Sequence, residues 1–151
     1  MNQIDQRYMD LLFEEAKNLE PVGGKRSRVM AAIVFKKTLV IFGNNLEKTD
    51  PMQKLHSGSE HKAFIHAEMM AIKRALNHFR GDSSRLKDAT LYVMRAKKEK
   101  GNGSKPSKSW IWGNSCPCKG CARAIKDYEI KRIVYSLDVD NTCGEATSDD
   151  F

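Results

Sequence analysis

Apolar residues recur at helical spacing in one stretch near the start of the chain and in two stretches further on. Between them lie shorter runs in which most positions are apolar. Leu11, Leu12, Ala16 and Leu19 mark a helix over Tyr8 to Leu19, which Pro21-Val22-Gly23-Gly24 ends. Arg28 to Phe35 and Thr38 to Phe42 read as two strands joined in a hairpin at Lys36-Lys37. Asn44 to Ser59, with Pro51, Gly58 and few apolar residues, predicts a loop. Ile65, Met69, Ile72 and Leu76 set a second helix from Ile65 to Phe79, broken by Gly81-Asp82-Ser83-Ser84. Ala89 to Met94 is continuous enough to be a strand buried on both faces. A loop over Lys97 to Asn114, a helix over Cys118 to Tyr128 and a strand over Arg132 to Ser136 follow, and Asn141 to Phe151 reads as disordered. The order α-β-β-α-β-α-β has no internal repeat. With 151 residues it suits a single α/β domain over 1–138 and an acidic tail over 139–151.

Charge narrows the partners. The net charge of +7 favours a phosphate-bearing substrate or nucleic acid without choosing between them. Lys25, Arg26 and Arg28 cluster before the first strand, and Arg95, Lys97, Lys98, Lys100, Lys105 and Lys108 crowd a later stretch. No apolar run approaches the ~20 residues that span a bilayer, so no membrane partner is expected. Met1-Asn2-Gln3-Ile4-Asp5 lacks a secretory pattern. Three of the four Cys fall between 116 and 121, which suits a metal better than a disulfide framework and points to a reducing cytoplasm.

The candidate chemistry lies in His66-Ala67-Glu68 and Pro117-Cys118-Lys119-Gly120-Cys121. His66, Cys118 and Cys121 supply three zinc ligands, which leaves the open position that catalytic zinc sites keep for water. Such a metal acidifies its water to a pKa of about 7, and Glu68 would carry the protons. Cys118 and Cys121, at i and i+3, share a helix face behind Pro117, a residue suited to a helix start. His66 and Glu68, at i and i+2, share a face only if the chain is not yet helical at His66. The alternatives are a redox pair at C-x-x-C or a closed Cys₃His structural site completed by Cys116.

The two motifs form the H-x-E…P-C-x-x-C signature of zinc nucleobase deaminases. The chain resembles the cytidine and deoxycytidylate deaminase superfamily over roughly Arg26 to Asp138, and its deoxycytidylate branch most. The resembling segments are Arg26 to Val34, Gly43-Asn44-Asn45, His66 to Ile72, Leu91-Tyr92-Val93, Pro117 to Ala122 and Ile130 to Ser136. The resemblance implies a three-layer α/β/α fold with a mixed central sheet, one catalytic zinc and a homo-oligomer. It implies zinc on His66, Cys118 and Cys121, Glu68 as proton shuttle, and Asn45 or Asn44 at the sugar beside Ala67. The implied reaction is hydrolytic deamination of a cytosine nucleotide or nucleoside, of deoxycytidylate type, by a zinc-activated hydroxide.

Arg26, Arg28 or a Lys of the 97–108 loop could bind the phosphate of a small pyrimidine nucleotide. Trp110 and Trp112 lie in a segment longer than its counterpart in that branch. They either stack on bases, which would make single-stranded DNA, RNA or tRNA the substrate, or cover the core or a subunit contact. A zinc-stapled binding module without turnover is the reading from outside enzymology, and Glu68 argues against it. His56 and His61 could hold a second, structural zinc, with solvated His as the default. His78 reads as a surface residue near a helix end, and Cys143 as a free tail thiol.

Overall fold

The computed structural model describes residues 1–19, 28–46, 50–57, 65–99 and 109–151. The Pro21 to Gly24 helix stop, Arg26, His61 and Lys100, Lys105 and Lys108 lie outside the described residues.

Helix α1 (Gln3–Lys17) starts five residues before the expected Tyr8, because Asn2 and Asp5 form a capping box. Strands β1 (Arg28–Phe35) and β2 (Leu39–Asn44) make the expected hairpin. Lys36 and Lys37, in the three-residue connection 36–38, both take positive φ, 48° and 64°. Strand β3 (Ala89–Lys98) runs past the expected end and pairs antiparallel with β4 (Trp110–Gly113). The 97–114 segment is therefore strand at 97–98 and 110–113 and not loop throughout. Strand β5 (Arg132–Ser136) matches its sequence bounds and lies parallel to β3.

The sheet order is β2-β1-β3-β5-β6, where β6 is Cys143–Ala146, with β4 also on β3. Period-2 alternation sorts side chains between its two faces. Ala31, Ile33, Leu91 and Val93 pack on one side with α3 (Ala67–His78) and α4 (Lys119–Asp127). Met30, Ala32, Tyr92 and Met94 pack on the other with Met9, Leu12 and Ala16 of α1. This is the expected three-layer α/β/α arrangement with a mixed sheet.

Two expectations are corrected. The 44–59 stretch contains a short helix, α2 (Pro51–Ser57), whose start Asp50 caps through Met52 N–H while it pairs with Lys73 of α3. His56 is buried within it: Nδ1 lies 2.9 Å from Met52 O and Nε2 lies 3.2 Å from an Asp127 carboxylate oxygen. These contacts dock α2 on α4, so His56 is not the solvated residue expected. The tail is not disordered either. Strand β6 (Cys143–Ala146) pairs with β5, and a 3₁₀ turn follows at Ser148–Asp150. β6 covers a sheet edge that would otherwise be open. Gly144 makes room for the Tyr135 ring, which would lie 2.3 Å from a Cβ there.

Buried Asp5 ties the ends of this architecture together. It receives two Arg132 N–H groups at 2.8 and 2.7 Å and the Tyr92 hydroxyl at 2.7 Å. Arg132 also reaches Glu145 of β6 at 2.5 Å. The Arg132 guanidinium, helped by Tyr92 and Asn2, holds the Asp5 carboxyl down from 3.8 to about 2 against the upward push of burial. A carboxyl depressed on folding contributes stability that is complete above its unfolded value and is lost as pH falls towards the folded one. At about 1.4 kcal/mol per unit, that contribution is about 2 kcal/mol. Urea unfolding should show Asp5→Asn destabilised by about that amount at neutral pH, and the gap to the parent protein should close between about pH 5 and pH 2. A gap that is flat across that range would show that the network does not depend on the carboxylate charge.

Candidate active site

Helices α3 and α4 each begin at a metal-ligand candidate. His66 is the N-cap of α3 with extended backbone (φ −84°, ψ 160°), and Cys118 is the N-cap of α4 (φ −68°, ψ 170°). Because His66 is not helical, its ring is free of the helical angular spacing and can meet the first turn that carries Glu68. Cys118 Sγ accepts the Cys121 N–H at 3.5 Å, doing the work of a capping oxygen.

The three donor atoms converge. His66 Nδ1 lies 3.4 Å from both sulfurs, and all three ligand atoms lie within 4.8 Å of one another. Zn–S of about 2.3 Å and Zn–N of about 2.0–2.1 Å at a tetrahedral centre put N and S about 3.5 Å apart. The donors therefore fit one zinc ion. The neighbouring Cys121 thiol and the His66 ring hold the Cys118 thiol down to about 3, against the push of burial, so it is ready as a thiolate ligand. Cys116 is not in the donor group. Its thiol lies beside the Tyr135 hydroxyl, which burial and Cys116 together push up. Among the described residues the site thus has three ligands and not the four of a closed structural centre.

Glu68, on the first turn of α3, is 5% exposed. Burial pushes its carboxyl up, opposed by its own backbone N–H and by His66. Gly43 of β2 fixes how closely α3 approaches the sheet. A Cβ there would lie 2.4 Å from Ala71 N and 2.6 Å from Ala67 O, so only glycine lets the strand sit against this turn.

The start of α4 is held by two buried serines that the sequence reading did not single out. Ser115 donates to Val93 O at 2.8 Å, and Ser136 donates to Gly113 O at 2.6 Å. The Ser136 N–H donates to Ser115 Oγ at 2.8 Å, and the Arg95 N–H to Ser136 Oγ at 3.1 Å. The clamp pins residues 113–115 to β3 and β5 just before Pro117 and Cys118. Nothing in the local pattern marks either serine, because each acts through a strand remote in sequence.

A cavity of about 280 Å³ opens over these groups, walled by Val29, Asn45, Arg95 and Asn114 as well as by His66, Glu68 and Cys118. Asn45 and Ala67, two of the expected substrate contacts, line it. Asn45 Oδ1 accepts the Val29 N–H at 3.2 Å, which ties the end of β2 to β1.

The other described candidates fall elsewhere, and strand alternation explains why. Asn44 pairs in register with Met30, and Arg28 and Trp112 both pair with Ala96, so all three belong to the α1 face. Arg28 donates to Lys17 O at 2.9 Å and stacks on Trp110 at 4.6 Å. Trp112 is 3% exposed, with Phe13 of α1 at 6.3 Å between ring centres, so it is core and not a base platform. Arg95 and Asn114 are cavity residues that sequence reasoning missed. Arg95 was visible only as one of many basic residues, and its facing follows from the β3 register.

Comparison with known proteins agrees with this geometry. The sequence profile described as "Cytidine and deoxycytidylate deaminase zinc-binding region" matches residues 2–137. No curated protein matches the sequence. Among solved structures, the fold is similar to that of a cytidine deaminase from Burkholderia pseudomallei, with 16% identity and a TM-score of 0.56 over 99% of this chain and 95% of that one. At that identity the likeness speaks for the fold. The profile spans nearly the whole chain, so this protein belongs to the cytidine and deoxycytidylate deaminase family, whose cofactor is zinc.

Proposed function

We propose that the protein hydrolytically deaminates the cytosine of a small pyrimidine nucleoside or nucleotide, with deoxycytidine monophosphate as the preferred type. The observation that carries this reading is the buried Glu68 carboxyl beside a three-donor metal centre on the floor of a small cavity. A metal used only as a staple has no need of a carboxylate buried next to it.

His66, Cys118 and Cys121 would hold the zinc. Two thiolates and one neutral imidazole balance its charge and leave a position open. When bound, zinc supplies an acidified water as the nucleophile at neutral pH. Glu68 takes the first proton of the attacking water and delivers it to the base ring, then takes the proton of the hydroxyl now on the ring carbon and gives it to the amine, which leaves as ammonia. Its burial raises its proton affinity towards the working range of a general acid–base group. Asn45 orients the sugar, and Ala67, fully buried under the cavity, sets the depth of the base site.

The experiment that tests the function is ammonia release against cytosine, cytidine, deoxycytidine, their monophosphates, guanine, adenosine and single-stranded oligonucleotides. Release from the cytosine monomers is expected, and release from none of them would refute the reading. Metal analysis should find about one zinc per chain, and Cys118→Ser should lose most of it. A full zinc complement in that variant would remove Cys118 from the ligand set. Glu68→Gln should keep its zinc and lower kcat by about 10²–10⁴-fold. Near-parental turnover would show that the proton passes by another route.

A further inference from the structure

The cavity wall contains one cation whose side chain has no partner among the described residues. Arg95 shares the α3/α4 face of β3 with Leu91 and Val93, and its side chain lines the cavity with Glu68 and His66. The Ser136 hydroxyl fixes its backbone. Its aliphatic stem lies along Gly113, where a Cβ would come within 3.1 Å of Arg95 Cδ and 3.2 Å of Cγ. Its Nε is buried and has no hydrogen-bond partner. The same holds for Arg28 Nε on the other face of the sheet, so Arg95 is singled out by its place on the cavity wall and not by this N–H.

The neighbouring basic residues are already engaged. Arg28 and Lys98 stack on Trp110, and Lys97 reaches Asp138 at 2.9 Å. Asp138 also accepts the Asn114 N–H at 2.9 Å, so its carboxylate feels Arg95 only at a distance. Arg95 is the one Lys or Arg among the cavity-lining residues described.

We propose that Arg95 selects the substrate by its phosphate. Its guanidinium receives the phosphate of a pyrimidine nucleoside monophosphate whose base lies against Glu68. This assignment rests on the deaminase reading above and adds the group that would favour nucleotide over nucleoside. A planar guanidinium suits a phosphate because it can give two parallel N–H bonds. A free mononucleotide fits better than a nucleic-acid strand. Strand binders lay a track of cations and stacking aromatics along the backbone. Among the described residues a single Lys or Arg faces a cavity of about 280 Å³, and both tryptophans belong to the opposite face.

The test uses the reaction products, which are not turned over. Binding of deoxyuridine monophosphate, deoxyuridine and a short oligodeoxyuridylate to the zinc-loaded protein would be measured by calorimetry. The parent protein should prefer the monophosphate to the nucleoside. Arg95→Gln should cut that preference by about 10- to 100-fold with deoxyuridine binding unchanged, and Arg95→Lys should restore part of it. Gly113→Ala, which crowds the Arg95 stem from outside the cavity, should lower the preference without removing the guanidinium. It serves as the second variant if Arg95→Gln does not fold. An unchanged preference in Arg95→Gln, or an equal loss for nucleoside and nucleotide, would overturn the assignment. So would an oligodeoxyuridylate that binds more tightly than the mononucleotide with a steep salt dependence. A phosphate preference lost in Arg95→Gln, in a protein that releases ammonia from no cytosine compound, would keep Arg95 as the phosphate contact while removing the deaminase reading. Deamination without any phosphate preference would do the reverse.

Discussion

Two helices must begin at the same point in space, and most of the structure serves that requirement. His66 and Cys118 are ligand candidates because they are N-caps, the last residues before the helix imposes its angular spacing. An extended N-cap turns its side chain towards the first turn that follows, which lets His66 stand beside Glu68 although they are two apart in sequence. The same end of a helix favours negative charge, so thiolates are well placed there. Each helix start is then fixed by the sheet in its own way. α3 is pressed against β2 at Gly43, and α4 is aimed by the Ser115–Ser136 clamp between β3 and β5. Neither device supplies a donor atom, yet the distances among the three donors depend on both.

The sheet divides the polar groups by task. On the α1 face, Asp5, Tyr92 and Arg132 satisfy one another, and Arg132 extends to Glu145 on β6. Desolvation offsets much of the attraction in such a buried pair, so its clearest effect is on which helix and which strands may meet. On the α3/α4 face the polar groups gather around the cavity: the donor trio, a buried carboxyl with raised proton affinity, and the Arg95 guanidinium.

The sequence disclosed what depends on short range. The donor set was legible because His66 with Glu68, and Cys118 with Cys121, lie within one helical turn of each other. β1 and β5 were legible to the residue from their apolar runs, and Lys36-Lys37 from the abrupt polarity between two strands. What was not legible depends on pairing across the chain. Arg28 looked like a phosphate contact, and Trp112 like either a base platform or a core residue, until their register with Ala96 placed both on the α1 side. Arg95 looked like one more solvated charge until the same register turned it inwards. β6 has a polar, glycine-containing sequence, and only the free edge of β5 and the position of Arg132 make it a strand. The first turn of α1 was missed because Asp5 serves as cap and as ion-pair partner at once, so its polarity read as loop.

Gly43 has a further meaning in genetics. A saturation screen scored on turnover would rank position 43 beside Glu68, since any Cβ there collides with the backbone of α3 at 2.4 Å. The loss would register as catalytic although the residue has no side chain and meets no reactant. Activity maps of this chain therefore carry two kinds of intolerant site, chemical and steric, and only a structure distinguishes them. A strict glycine facing the first turn of a ligand-bearing helix is the mark of the steric kind.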